Sequence, residues 1–243
     1  MLTRRQLLPL TLLCLVLSPF VRAEGTGPTP YPPPDGNWPG AGVIRVHPWM
    51  TENRDFFWTK RAQKQGAVVF VGDSLVGNWK DMERSFPGLS VANRGIGGDV
   101  SRGVLFRFQE DVLDLHPSTV VVLIGTNDLS ARGAPDTVVA NISAAIAMAH
   151  KQNPAMPVVL CTVPPRESPK APIQSATLND LNGKIRALAS DKVRILDLFT
   201  LFATADGKPD PIYFKSDLLH LGAPGYAKFQ EAVRTLLPSG TKP

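Results

Sequence analysis

Cysteine is almost absent from this chain of 243 residues: there are two, Cys14 and Cys161. Cys14 falls in an N-terminal stretch expected to be removed, and one remaining thiol closes no internal disulfide. Stability must then come from a hydrophobic core, which a chain of this length is large enough to bury. A basic stripe is missing too. The formal charge is +5, but Arg4, Arg5 and Arg22 all lie in residues 1–23, where no acidic side chain occurs. The remainder carries a charge of about +2 and no Lys/Arg run interleaved with aromatics, so nothing resembles a nucleic-acid footprint. There is no G-x-x-x-x-G-K-[ST] loop for nucleotide phosphates and no recognisable metal-binding motif. Neither a metal nor another cofactor is expected.

What is present begins with "MLTRRQLLPLTLLCLVLSPFVRA", residues 1–23. A basic start, an apolar centre and the small Ala23 make the pattern of an export signal. The apolar centre is short and broken by Pro9 and Pro19, so no stable membrane span is expected after its removal. Thr3-Arg4-Arg5 resembles a twin-arginine start, while Leu13 before Cys14 does not fit a lipobox. A periplasmic or secreted protein is expected. Residues 24–41, "EGTGPTPYPPPDGNWPGA", are dense in Pro and Gly and read as a linker or an extended arm lying over the domain. Residues 42–238 read as one domain and 239–243 as a tail.

Within the domain, β-branched apolar runs at 67–71, 89–92, 119–124, 157–163 and 193–198 alternate with segments of helical periodicity at 100–113, 135–151, 173–189 and 224–237. Short runs without in/out alternation suit strands buried on both faces. Strand–helix alternation implies parallel pairing with right-handed crossovers. The predicted fold is a three-layer α/β/α domain with a doubly wound parallel sheet of about five strands.

In such sheets ligands bind beyond the carboxyl ends of the strands, and the polar residues are concentrated there. Gly72-Asp73-Ser74 follows the first run, "NRGIGGD" (93–99) the second, "GTND" (125–128) the third and "PPRESPKAP" (164–172) the fourth; "SDLLHL" (216–221) precedes the last helix. A serine between a strand and a helix is more often an N-cap than a nucleophile. Ser74 also lacks the Gly-x-Ser-x-Gly elbow, because Val76 stands where that motif has glycine. As a nucleophile it needs a base with an orienting acid, and donors for an oxyanion. Of the four histidines, His47 lies beside the arm, His116 precedes Pro117 and His150 ends a helix. Only His220 has a carboxylate close by in a loop, Asp217, able to fix its tautomer. The candidate donors are the Gly98 N–H, the Asn127 side-chain amide and the Ser74 N–H. Asp99 reads as an N-cap for the following helix, and Asp73 and Asn93 as loop-fixing groups. Arg166 and Lys170 read as solvated charge rather than substrate contacts.

"GDSL", "NRGIGGD", "GTND" and "DLLHL" together resemble the four blocks of the SGNH, or GDSL-type, hydrolases. Ser74, Gly98, Asn127 and His220 match the residues that give the family its name, with Asp217 completing the triad. The longer pieces "GIGGDVSRGVLFR", "PPRESP" and "LHLGAPGYAK" are similar to catalytic subunits of platelet-activating-factor acetylhydrolase. The resemblance spans about 58–237 and implies a flavodoxin-like fold and metal-free hydrolysis of esters. The export signal and the Pro-rich arm depart from those subunits, so their lipid substrate does not carry over. The expectation is an exported serine esterase acting on short acyl, above all acetyl, esters of a small molecule or polysaccharide. The alternatives are a lipid acyl hydrolase or a non-catalytic glycan-binding module on the same fold. A metal-dependent phosphoesterase using Asp73, Asp99, Asp128 and Asp217 is a further rival, poor in histidine ligands.

Overall fold

The computed structural model describes residues 26–169 and 172–238. The expected export signal (1–23), Lys170 and the tail (239–243) lie outside the described residues. The five apolar runs become strands β1 (Val68–Gly72), β2 (Val91–Gly95), β3 (Thr119–Leu123), β4 (Val158–Cys161) and β5 (Val193–Leu196). Every neighbouring pair is parallel, in the order β2-β1-β3-β4-β5. Winding reverses between β1 and β3, and Ser74 and Asn127 stand just beyond those two strands. That is the place where this topology opens a crevice.

Strand β2 runs further than its apolar residues do. Asn93, Arg94 and Gly95 pair with Phe70, Val71 and Gly72, so ladder hydrogen bonds carry the strand through polar positions that hydrophobic patterning leaves out.

The helices in chain order are α1 (Pro48–Lys60), α2 (Ser74–Gly77), α3 (Met82–Ser85), α4 (Ser101–Asp111), α5 (Thr126–Ser130), α6 (Pro135–Gln152), α7 (Ser175–Arg186), α8 (Leu198–Phe202) and α9 (Ala223–Arg234). Period-2 alternation along the strands feeds two cores. Val69, Val71, Val120, Val122 and Leu160 pack with Phe108 of α4, Ile142 of α6 and Leu181 of α7. Val68, Phe70, Val121 and Leu123 pack on the opposite face with Trp79, Phe202 of α8 and Phe229 of α9. The three layers follow from this division, as the sequence predicts.

Helix α1 was not legible in the periodicity. Its buried stripe is Met50, Arg54 and Phe57, and an arginine in the middle of a buried stripe hides the pattern. Arg54 is neutralised by Glu110 at 2.7 Å and Asp111 at 3.4 Å, and its guanidinium lies over the rings of Tyr31 and Phe106. The described part of the Pro/Gly-rich segment lies on α4. Tyr31, Trp38 and Phe106 form a three-ring cluster with centroids 5.3–5.8 Å apart, and Arg102 donates to the Pro39 carbonyl at 2.9 Å.

One close approach sets the position of Ser74. A Cβ on Gly95 would strike the Gly77 nitrogen and come within 2.7 Å of Val76, so α2 rests directly on the end of β2. Gly95→Ala is expected to lower stability by about 1–3 kcal/mol through overpacking, measured as a shift in the urea midpoint. An unchanged midpoint would mean that α2 moves away at no cost.

Candidate active site

The strand β1 ends at Gly72 and the chain turns at once into α2. Asp73, not Ser74, is the N-cap: its Oδ1 accepts the Leu75 N–H at 2.9 Å. The capping role that would explain Ser74 structurally is thus already filled, and the serine is the first residue of the helix. Its Oγ lies 3.0 Å from His220 Nε2 across 146 residues of sequence. Behind the imidazole, Nδ1 meets Asp217 Oδ2 at 2.6 Å. With Nδ1–H donating to the carboxylate, Nε2 is left as the acceptor for the serine proton.

The loop that delivers His220 is fixed mainly by its own backbone. Asp217 Oδ1 accepts the N–H groups of Leu219 and His220 at 3.0 and 2.9 Å, and the Lys215 N–H donates to the His220 carbonyl at 2.7 Å. Leu218 sits at φ 47° to make this turn, an uncommon conformation for a residue with a branched side chain. The loop after β4 buttresses it, because the Glu167 N–H donates to the Leu218 carbonyl at 3.1 Å. Partial burial of Asp217 acts against ionisation, but the His220 ring and two backbone N–H groups outweigh it, and its carboxyl falls to about 2.

Facing Ser74 is the turn Ile96-Gly97-Gly98-Asp99, closed by the Asp99 N–H on the Ile96 carbonyl at 3.1 Å. Gly98 takes φ 84°, which favours glycine. A Cβ built on Gly97 would lie 4.0 Å from the Ser74 Cβ, so this turn packs against the serine. Asn127, in the first turn of α5, donates from Nδ2 to the Asp99 carbonyl at 3.0 Å. Among the described residues neither the Ser74 nor the Gly98 N–H donates to a protein acceptor. The structure therefore brings Ser74, His220 and Asp217 into one hydrogen-bonded chain and sets the turn of Gly98 and the side chain of Asn127 beside it.

Two expectations are corrected. Asp99 does not cap α4; it is buried and held by Arg107 Nε at 2.8 Å, with its Oδ1 on the adjacent Val100 N–H. The cap comes from across the sheet, where Asp128 accepts the Ser101 N–H at 2.9 Å and the Ser101 hydroxyl at 2.7 Å. Arg166 is not a solvated charge. It is 8% exposed and donates to the Thr126 hydroxyl at 2.6 Å and that of Ser130 at 3.1 Å. Burial lowers its pKa while Asp73 and Asp217 nearby act to raise it. The loop carrying it folds inward against the His220 loop, which places the guanidinium under the site.

Asn93 Nδ2 donates to the Val76 carbonyl at 2.9 Å and its Oδ1 accepts the Gly95 N–H at 2.9 Å, tying β2 to α2. His116 meets Gln65, His150 the Met156 carbonyl, and His47 stacks on Trp49 with centroids 4.2 Å apart. Of the four carboxylates that a metal site would need, Asp99 is engaged by Arg107, Asp128 by Ser101 and Asp217 by His220. Among the described residues no group of three or more His, Cys, Asp or Glu is disposed to hold a metal.

Sequence reasoning missed Arg107 altogether and read Asp128 only as a ligand of the rival metal site, not as the cap of α4. Arg107 is fully buried and donates to the carbonyls of Gly72 and Arg94 at 3.2 and 2.8 Å. Burial opposes its charge, but Asp99 and Asp111 raise its pKa above the ordinary arginine value. A signal was present: an arginine in the apolar run "GVLFRF" of a helix packed on a sheet calls for a buried carboxylate.

A model of the GDSL-like lipase/acylhydrolase family matches residues 65–228. The chain is 30% identical over 229 residues to platelet-activating factor acetylhydrolase IB subunit alpha1 of Rattus norvegicus, covering 88% of this chain and 90% of that one. It is 29% identical over 195 residues to the human alpha2 subunit, covering 78% and 83%. The crystal structure of a GDSL-like lipase from Bacteroides thetaiotaomicron superposes with a TM-score of 0.66 at 27% identity, covering 74% of this chain and 95% of that one.

Asp73 carries a separate, checkable property. It is fully buried, and among the described residues its Oδ2 has no hydrogen-bond partner. Burial pushes its carboxyl up to about 7, the Leu75 N–H pulls it down, and Asp99 and Asp128 raise it further. The folded protein thus retains a proton that the unfolded chain releases near 3.8. The associated stability is complete below that value and is lost as pH rises through about 7. Asp73→Asn carries no charge at any pH. Its melting temperature relative to the parent should therefore improve between about pH 4 and about pH 8, and an equal offset at both would contradict the buried, proton-retaining carboxyl.

Proposed function

The chain belongs to the GDSL-like lipase/acylhydrolase family, and from that premise we propose that it is an exported serine esterase that removes short acyl groups, above all acetyl, from carbohydrate. The observation that carries this reading is the 3.0 Å contact between Ser74 Oγ and His220 Nε2, with Asp217 2.6 Å behind the ring. In the proposed reaction Ser74 Oγ attacks the ester carbonyl as its proton passes to His220 Nε2, and Asp217, a carboxylate down to about pH 2, stabilises the imidazolium. Negative charge developing on the carbonyl oxygen is received by the N–H groups of Ser74 and Gly98 and by the Asn127 amide. His220 then protonates the leaving alcohol, leaving an acyl group on Ser74. Water, deprotonated by the same imidazole, attacks that acyl group; collapse releases the acid and returns the proton to Ser74.

Two considerations support the substrate. Relatives named as acetylhydrolase subunits favour a small acyl group. The expected export signal at residues 1–23 favours an extracellular glycan as the alcohol part. The names of the same relatives also favour a second substrate, an acetylated lipid of the platelet-activating-factor type.

Kinetics on p-nitrophenyl acetate test the machinery. Ser74→Ala should lower kcat by about 10⁴ or more, with Ser74→Ala/His220→Ala costing little beyond the single variant because the residues act as a unit. Asn127→Ala should lower kcat by about 10²–10³, equivalent to roughly 3–4 kcal/mol. Near-additive losses in the double variant would argue against a shared proton-transfer unit. A hydrolysis panel of acetylated sugars, acetylated xylan, p-nitrophenyl esters of graded chain length and acetylated or long-chain lipid esters decides the substrate. Preference for acetylated glycans is expected; preference for lipid esters would replace glycan by lipid in the proposal.

A further inference from the structure

The turn facing Ser74 contains two adjacent glycines, and that creates a problem the rest of the site must solve. A four-residue turn closed from Asp99 N–H to Ile96 O with Gly98 at φ 84° has the positive φ at its third position that a type II turn requires. Types I and II differ chiefly by a flip of the central peptide, here Gly97–Gly98, and glycine at both positions tolerates either. In a trans peptide the carbonyl of one residue and the N–H of the next point in opposite directions. A flip would therefore aim the Gly97 carbonyl where the Gly98 N–H stood, replacing a donor by an acceptor at the place where negative charge develops.

Something outside the turn opposes that flip. The indole Nε1 of Trp49 donates to the Gly97 carbonyl at 2.9 Å, and Arg45 Nη1 donates to the Gly98 carbonyl at 3.2 Å. Arg45 lies in the segment leading into α1 and Trp49 in the first turn of that helix; the Trp49 bond holds the Gly97–Gly98 peptide itself, and the Arg45 bond holds the next peptide of the turn. That segment lies on the far side of the turn from the serine: a Cβ on Gly98 would face Met50, Arg45 and His47, whereas one on Gly97 would face Ser74. Trp49 is itself steadied by stacking on His47 at an interplanar angle of 15°. The residue remains 46% exposed, so its position is not accounted for by burial in the core.

We propose that Trp49, assisted by Arg45, is a positioning residue that holds the Gly97–Gly98 peptide in the orientation directing the Gly98 N–H toward the reacting carbonyl. The inference rests on the reading of Ser74 and Gly98 given above. It adds a function for residues 45–49, which lie outside the 65–228 region matched by the family model. The hydrogen bond acts through the indole N–H alone. Phenylalanine at position 49 keeps an aromatic ring and removes the donor.

The test is Trp49→Phe assayed on p-nitrophenyl acetate beside Ser74→Ala, with the melting temperature as a control for folding. The expected result is a fall in kcat of about tenfold, less than the 10²–10³ for deleting a donor outright, with KM unchanged. Inhibition by phenylboronic acid, whose tetrahedral serine adduct places an oxygen among the same donors, should weaken in proportion. Arg45→Met should show the same pattern, and Arg45→Lys should recover part of the loss. Unchanged kcat and boronate affinity in Trp49→Phe, with Ser74→Ala inactive, would overturn the positioning role and leave the esterase reading intact. A rise in KM at constant kcat would also overturn it, because the ring would then be contacting substrate. Parent-level activity in Ser74→Ala would remove the nucleophile and the positioning role together.

Discussion

A single buried guanidinium holds the site together. Arg107 has no exposed surface, and its nitrogens reach Asp99 at 2.8 Å, Asp111 at 3.2 Å and the carbonyls of Gly72 and Arg94 at 3.2 and 2.8 Å. Those two carbonyls belong to the ends of β1 and β2, from which the Ser74 turn and the Gly97–Gly98 turn depart. Asp99, fixed by the same group, presents its carbonyl to Asn127, so three separate chain segments take their relative positions from one cation. Removing one member of such a buried pair typically costs about 3–5 kcal/mol, because the partner is left charged and dry. The rigidity this confers is the reason that an alcohol, a pair of backbone donors and an amide can be held in register.

The topology supplies the rest. Reversal of winding between β1 and β3 opens a crevice beyond their carboxyl ends, and the groups that flank it come from the loops after β1, β2 and β3. His220 arrives from the far end of the sequence on a loop whose base, Phe214 and Leu221, is bridged and buried in the core. Its tip is shaped by hydrogen bonds within the loop, from two N–H groups to the Asp217 carboxylate and from the Lys215 N–H to the His220 carbonyl, and by one from the loop after β4, the Glu167 N–H on the Leu218 carbonyl. Tyr226, in α9, donates to the Leu75 carbonyl at 3.1 Å and ties the helix that follows His220 to the helix that begins with Ser74. The segments that carry Ser74 and His220 are thus joined at a second point.

Much of this arrangement was legible in the sequence because it rests on regular devices. Uninterrupted β-branched runs such as 119–123 mark strands buried on both faces, and Gly, Asp, Ser and Asn at their ends mark the crevice. What was not legible depends on partners distant in sequence. Helix α1 hides behind Arg54, whose burial requires Glu110 and Asp111. Asp99 reads as a local cap until Arg107 is seen to claim it, and Asp128 serves as the cap from 27 residues away. Arg166 reads as surface charge because nothing nearby in sequence announces Thr126 and Ser130 as its acceptors. Local patterns predict elements; buried charges are satisfied by tertiary contacts, and one-dimensional patterns do not carry them.

The central claim is that Ser74 is activated by His220 for attack on an ester. It is tested most directly by treating the protein with a fluorophosphonate and mapping the modified peptide by mass spectrometry. Stoichiometric labelling confined to Ser74, abolished in His220→Ala while that variant stays folded, is the predicted result. Labelling at another residue, or unimpaired labelling of Ser74 without His220, would contradict it.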